Sequence, residues 1–359
     1  MSLKKPKYRQ LADDLREAIR HNCKAGEKLE TENEMIERYG VSRQTVRQAL
    51  SILENEGLIV RRQGSGIYVS GPDARGQIQK PREKVITFVS TYISEYVFPS
   101  IIRGAEEVLR KAGYTLNLSQ TENRVELERR IISSIIADPP AGMIVEGTKT
   151  AIPNPNVPLY RQLIGSGVPI VFINGYYANL DNTIYVVTDD RQGGRDAVSF
   201  LIKKGHKHIG GIFKSDDIQG HERYAGFAEC LVENDAELVD ERVLWFTTEN
   251  RDQVLFGDNG RFLVNKFADC SAVVCYNDQI AVRVIDIFVR AGLEVPREKA
   301  VISFDNSHYS DLSSIRITSL DHPKENLGRA AAVKLLMMIG GKKEKPLVMP
   351  WGLSEKEST

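Results

Sequence analysis

The chain has 359 residues, 42% hydrophobic and 27% charged, with 48 Lys and Arg matched by 48 Asp and Glu. This length exceeds one ordinary core, so two or three domains are expected, and the composition is that of a globular chain. Zero net charge argues against indiscriminate nucleic-acid binding, no apolar run approaches the roughly 20 residues that cross a bilayer, and the basic N-terminus lacks the apolar core of a secretory signal.

Charge is uneven along the chain. Residues 1–70 hold 13 Lys/Arg and 10 Asp/Glu, a net of +3, whereas the remainder holds 35 against 38. The basic residues gather at Lys4–Arg9, Arg43–Arg47 and Arg61–Arg62, a distribution suited to a phosphate-facing surface. Tyr8, Leu11, Ala12, Leu15, Ala18 and Ile19 recur at helical spacing and predict a first helix with one buried stripe. Thr31-Glu32-Asn33-Glu34 predicts a capping box, and Gly40-Val41 a turn. Ser42 then caps a further helix whose buried face is Val46, Ala49, Leu50 and Leu53. Arg43, Gln44 and Arg47 must project from its other side, near the N-terminus, where a recognition helix touches base edges. Arginine forks onto guanine O6 and N7, and glutamine onto adenine N6 and N7. The run Val60 to Tyr68 predicts a hairpin with a Gly64-Ser65-Gly66 tip, a β-wing rather than a phosphate loop, because the GxxxxGK[ST] spacing is missing.

This segment resembles the winged helix-turn-helix domain of GntR-family repressors over residues 6–70. The strings Leu29-Glu30-Thr31-Glu32-Asn33-Glu34 and Gly40-Val41-Ser42-Arg43-Gln44-Thr45-Val46-Arg47 carry the resemblance. It implies that Arg43, Gln44 and Arg47 read the major groove, that Gln63 and Gly64 belong to the wing, and that Lys7 and Glu32 lie at the backbone or base edge. Many family members carry Arg where this chain has Asn33.

Residues 71–83 are rich in breakers and charge, beginning Gly71-Pro72-Asp73, and are expected to be a linker between domains 1–70 and 84–359. From Lys84 apolar β-rich runs alternate with amphipathic helices. The runs are Val85–Val89, Leu116–Leu118, Met143–Val145, Ile170–Ile173, Ile209–Phe213, Val243–Phe246, Ala272–Cys275 and Val301–Phe304. Such alternation predicts parallel sheets, and at this length two lobes. Ligands bind outside the carboxyl ends of such strands. That rule selects Tyr92, Glu95 and Tyr96 after the first run, Glu146 after Met143–Val145, Asn174 after Ile170–Ile173, Asn277 and Asp278 after Ala272–Cys275, and Asp305 and Asn306 after Val301–Phe304. These acids, amides and aromatics suit a sugar, whose hydroxyls bond carboxylates and amides and whose C–H faces stack on rings. Asp278 also fits a helix cap.

From residue 84 to 352 the chain resembles the LacI-type sensor domain, a two-lobed α/β fold like that of periplasmic sugar-binding proteins. Val187-Thr188-Asp189-Asp190, Gly205-His206-Lys207-His208-Ile209, Arg223-Tyr224-Ala225-Gly226-Phe227, Cys275-Tyr276-Asn277-Asp278 and Ile302-Ser303-Phe304-Asp305 carry it. The resemblance implies effector contacts at Arg223 and Asp305, then Asn277 and Asp278. A GntR head on a LacI-type sensor resembles the arabinose repressors of bacteria, as does the segment Ile144 to Asn156. This implies a homodimer on palindromic operator DNA that lets go when a sugar, L-arabinose, binds between the lobes; another sugar or a nucleoside-like effector is the alternative. Neither a GxSxG elbow, an HExxH site nor a Walker loop is present, so no enzyme is expected, and no cofactor. The four cysteines form no CxxC pair, so no metal or structural disulfide is expected either, and the implied compartment is the cytoplasm.

Overall fold

The computed structural model describes residues 6–23, 26–55, 58–62, 66–69 and 82–359. It divides into two compact units, Met1–Gln79 and Lys80–Thr359.

The first unit contains helices α1 (Lys7–Asn22), α2 (Glu32–Tyr39) and α3 (Arg43–Asn55) and the antiparallel strands β1 (Ile59–Arg62) and β2 (Gly66–Val69). Thr31 and Glu34 form the predicted capping box, each bonding the other's backbone N–H, so the first turn of α2 is fixed. Gly40 ends α2 in the left-handed region (φ 59°), which glycine enters without the steric cost of a Cβ. Ser42 Oγ accepts from Thr45 N at 3.2 Å and starts α3. The core is Leu11, Leu15, Ile19, Met35, Val46, Ala49, Leu50 and Leu53, closed by Ile59, Ile67 and Val69 from the hairpin. Each of these side chains other than Ala49 contributes about 1.5–3 kcal/mol by leaving water. Segment 26–29 also pairs with β2, through Leu29 N to Ile67 O and Val69 N to Glu27 O, an addition that apolar periodicity does not announce. Gly66 opens β2 opposite Arg62 rather than sitting at the wing tip.

The second unit has two lobes. The chain first builds β3 (Arg82–Ser90), α4 (Phe98–Lys111), β4 (Thr115–Gln120), α5 (Val125–Ala137), β5 (Pro140–Val145), α6 (Val157–Gly165), β6 (Ile170–Ile173) and β7 (Ile184–Thr188). It then crosses into the second lobe with α7 (Asp190–Lys203), β8 (Ile209–Lys214), α8 (Ile218–Glu233), β9 (Val243–Phe246), α9 (Arg251–Phe256), α10 (Arg261–Lys266), β10 (Ala272–Cys275), α11 (Asp278–Arg290), β11 (Ala300–Asp305), α12 (His308–Leu312) and β12 (Thr318–Asp321). It returns to the first lobe as α13 (Lys324–Ile339) and β13 (Leu347–Met349), and finishes in the second as β14 (Gly352–Ser354).

The sheets are six-stranded, ordered β13-β7-β6-β5-β3-β4 and β14-β12-β11-β10-β8-β9. Every pairing within them is parallel except β12 with β14, so strands leave each sheet at the same end and their carboxyl ends face one cleft. Three segments join the lobes, at 188–190, 321–324 and 349–352.

Candidate effector cavity and nucleic-acid interface

Between the carboxyl ends of the two sheets lies a cavity of about 320 Å³. Seven residues picked out by the strand-end rule line it: Tyr92, Glu95, Tyr96, Glu146, Asn174, Asn277 and Asp305; Arg223, implied by the family resemblance, joins them. Asp278 does not. It is fully buried behind the wall, where Oδ1 accepts from Ser319 Oγ at 2.7 Å and from Ser303, and Oδ2 from Ser307 N at 2.6 Å and Oγ at 2.8 Å. Its carboxylate is spent tying the ends of β11 and β12 together. Asn277 is the N-cap of α11, with Oδ1 accepting from Ile280 N at 3.0 Å, so its oxygen is committed and its amide nitrogen is the group left to the cavity.

Arg223 forms the floor. Helices α7 and α8 touch backbone to backbone: a Cβ on Gly194 would stand 2.1 Å from Arg223 O, and one on Gly226 1.8 Å from Arg191 O. That crossing drives Arg223, on α8, into a site where only 1% of it is exposed. Its Nε bonds Asp190 Oδ1 at 2.8 Å, its Nη1 bonds Tyr276 O at 2.6 Å, and its Nη2 stands 3.8 Å from Asp305 Oδ1. The guanidinium also lies 4.4 Å from the Phe304 ring centroid, 4.8 Å from Tyr276 and 5.1 Å from Trp351, a cation held among aromatic faces. Burial raises the carboxyl pKa of Asp190 and Asp305, and the adjacent Arg223 opposes that rise in both.

The first lobe supplies acceptors. Burial raises the pKa of Glu146, against hydrogen bonds from Asn174 Nδ2 (2.9 Å), Thr91 and Ser90. Asn174 is itself buried at φ 60°, with Oδ1 lacking a donor among the described residues. His322, on the second connecting segment, lines the cavity with Nδ1 equally without a partner among the described residues. Burial, then Lys324 and Arg223, push its pKa down to about 3, so the ring is neutral. Buried polar atoms normally find partners, so this pair points to hydroxyls supplied by a ligand.

The lobes also grip each other directly. Tyr96 O–H donates to Asp305 Oδ2 at 2.6 Å and accepts from Asp278 N at 3.1 Å. Thr150 Oγ1 accepts from Ile218 N at 3.0 Å, Asn123 Nδ2 donates to Thr248 Oγ1 at 2.6 Å, and Lys149 pairs with Glu249. The arm bearing Lys149 and Thr150 is fixed by Glu128. This fully buried carboxylate accepts from Thr148 N, Asn154 and Asn156 Nδ2, and the Tyr160 and Tyr177 hydroxyls.

Several lining residues escape the sequence reading. Lys214, the last residue of β8, stands 2.9 Å from Asp217 just beyond it, and Thr248 and Arg251 follow β9; the strand-end rule selects both places if applied there. Ser215-Asp216-Asp217 instead resembles an ordinary helix cap, and Asp217 Oδ1 does cap α8 at Gly220 N.

On the first unit Arg43, Gln44 and Arg47 stand exposed along one face of α3, with Gln48 and Ser51 beside them. Arg43 Nη2 donates to Asn33 Oδ1 at 3.0 Å; Arg47 Nε donates to Glu32 Oε2 at 3.0 Å. Lys7 is exposed at the start of α1. Gln63 and Gly64, the expected wing residues, lie outside the described residues.

Residues 7–69 match the model of bacterial regulatory proteins of the gntR family, and 198–359 that of the periplasmic binding protein-like domain. The chain is 37% identical over 313 residues to an arabinose metabolism transcriptional repressor of Halalkalibacterium halodurans, covering 87% of this chain and 83% of that one. It is 38% identical over 336 residues to the protein of that name in Geobacillus stearothermophilus, covering 93% and 91%. Among solved structures, the transcriptional regulator CelR in complex with cellobiose superposes with a TM-score of 0.68 at 22% identity, over 89% of this chain and 92% of that one, a likeness of fold.

Proposed function

The chain belongs to the family of transcriptional repressors of sugar metabolism that join a GntR-type head to a periplasmic-binding-protein-like sensor, and from that premise we propose that it leaves operator DNA when L-arabinose fills the interlobe cavity. It is a regulator rather than an enzyme. The observation that carries the ligand reading is the pair of buried, partnerless atoms, Asn174 Oδ1 and His322 Nδ1, in a cavity also lined by Glu146, Arg223 and Asp305. An acceptor on one lobe and a neutral imidazole on a connecting segment suit a ligand with hydroxyls on opposite edges. At about 320 Å³ the space sits at the small end of ligand sites, which favours a monosaccharide over a disaccharide. The names of the two relatives point to arabinose.

Tyr92, Glu95, Glu146, Asn174, Arg223, Asn277 and Asp305 then contact the sugar. Lys7, Glu32, Arg43, Gln44 and Arg47, with Gln63 and Gly64 on the wing, face DNA. The protein works in the cytoplasm as a symmetric dimer on a palindromic site, since isologous pairing of two heads matches a two-fold operator. The sugar acts by binding the clasped lobes better than the parted ones; without such a difference it shifts nothing.

The test is an anisotropy titration of the full chain on a duplex recovered by binding-site selection. L-arabinose should weaken binding by about 5- to 150-fold. A response to a different monosaccharide but not to arabinose rejects the ligand, and indifference to every sugar rejects the mechanism.

A further inference from the structure

In the nucleic-acid head, Asn33 stands in a place that the groove-reading assignment leaves without a role. It is the second residue of α2, exposed, and its helix start is locked by the Thr31–Glu34 capping box. Ten residues on, Arg43 is the first residue of α3, whose start is fixed by Ser42. Two rigid helix starts therefore aim these side chains at each other, and Asn33 Oδ1 accepts from Arg43 Nη2 at 3.0 Å. Beside it Glu32 does the same for Arg47, also at 3.0 Å, and its Oε1 lies 3.7 Å from Arg61 Nη1. The first turn of α2 thus offers one acceptor to each arginine of α3, and the two acceptors differ in charge.

We infer that Asn33 is a positioning residue for base reading: its amide oxygen holds the Arg43 guanidinium in the orientation that meets a guanine, without neutralising it. The inference rests on α3 entering the major groove. A guanidinium has five N–H donors, so one bond at Nη2 still leaves a complete two-donor edge for O6 and N7. An amide oxygen fixes the plane of the group and leaves its positive charge undiminished. A carboxylate there, like Glu32 at Arg47, would fix it as well but would place a negative charge beside the phosphates. Asn33 therefore separates two properties that usually travel together, where the fork points and how strongly the head is drawn to DNA of any sequence.

The experiment compares the full-length wild type with Asn33→Ala, Asn33→Asp, Arg43→Ala and the Asn33→Ala/Arg43→Ala double variant. The probes are a duplex selected by the wild type from a randomised library and its single-base-pair substitutions, each measured over a range of salt. Arg43→Ala identifies the base pair that Arg43 reads. Asn33→Ala should lower preference at that same base pair by about three- to tenfold, with the slope of affinity against salt unchanged. Asn33→Asp should keep that preference and weaken binding to every sequence alike. In the double variant, loss of Asn33 should add nothing to loss of Arg43.

A uniform loss in Asn33→Ala, a loss at a different base pair, or an Asn33 effect that persists without Arg43 overturns the inference. If the wild type selects no sequence at all, the placement of α3 on DNA fails first, and that outcome is distinct from all three.

Discussion

Arg43 and Arg223 are each held by side-chain acceptors, yet their situations are opposite. Arg43 is exposed with a neutral amide as its partner, whereas Arg223 is buried between Asp190 and Asp305 and ringed by three aromatic faces. The first can reach a base with its remaining donors while keeping its partner. The second cannot move without leaving two buried carboxylates unpaired. The head therefore keeps its chemistry separate from its stability, and the sensor does not. Substitutions on the exposed face of α3 should change binding alone, and substitutions on the cavity floor should change stability and response together.

Arg223→Ala is the severest test. Removing one partner of a buried ion pair costs about 3–5 kcal/mol, so the melting temperature of the sensor should fall sharply and the sugar response should vanish. Normal melting with normal induction would break the contrast. Gly226→Ala comes next, because its Cβ would lie 1.8 Å from Arg191 O and the α7–α8 crossing must open. A loss of about 3 kcal/mol is expected in denaturant titration, with weakened sugar binding although residue 226 is not on the cavity wall.

Arg43→Ala should lower discrimination at its base pair by about 1–3 kcal/mol and leave the melting curve where it was. A destabilised Arg43→Ala protein would place the head in the same class as the cavity floor.

The smallest effect is a pH dependence. His322 titrates near 3 in the folded chain against an ordinary 6.5. A depressed pKa contributes stability that is complete above 6.5 and is lost as pH falls from there toward 3, since the unfolded chain takes up the proton first. Between pH 7 and pH 5.5 this amounts to about 1 kcal/mol. Buried Asp190 and Asp278, whose pKa values are raised, act in the reverse sense. The informative quantity is therefore the difference between wild type and His322→Gln, and the variant should lose less stability than the wild type over that range. Equal losses would place His322 in contact with water.

Much of this arrangement is legible in the residues. The apolar runs Ile170–Ile173, Val243–Phe246 and Ala272–Cys275 coincide with β6, β9 and β10, because strands covered on both faces carry uninterrupted apolar stretches. Helix α13 is missed for a physical reason. Leu327, Ala331, Ala332 and Leu335 are buried where it packs on α4 and the first sheet, and alanine gives little contrast between faces. Strands β12 and β14, Thr-Ser-Leu-Asp and Gly-Leu-Ser, carry no apolar run, and β13 is only three residues long. Without them the return of the chain to the first lobe is invisible, and so is His322, which follows β12. For the cavity, strand ends supplied the first-lobe acceptors Glu146 and Asn174. Asp278 fell on the wrong side of the wall because neighbouring residues at a strand end point in different directions, and one position decides whether a carboxylate meets a ligand or a serine.

The chain's double return has a practical corollary for anyone dissecting the molecule. Neither lobe is a contiguous stretch of sequence: a fragment ending at Thr188 would lack α13, which covers its sheet, and β13, which completes it. A protease nick in any single connector would leave two others uncut, so the halves should stay associated under native conditions. Grafting one half onto a foreign sensor would demand three splice points rather than one.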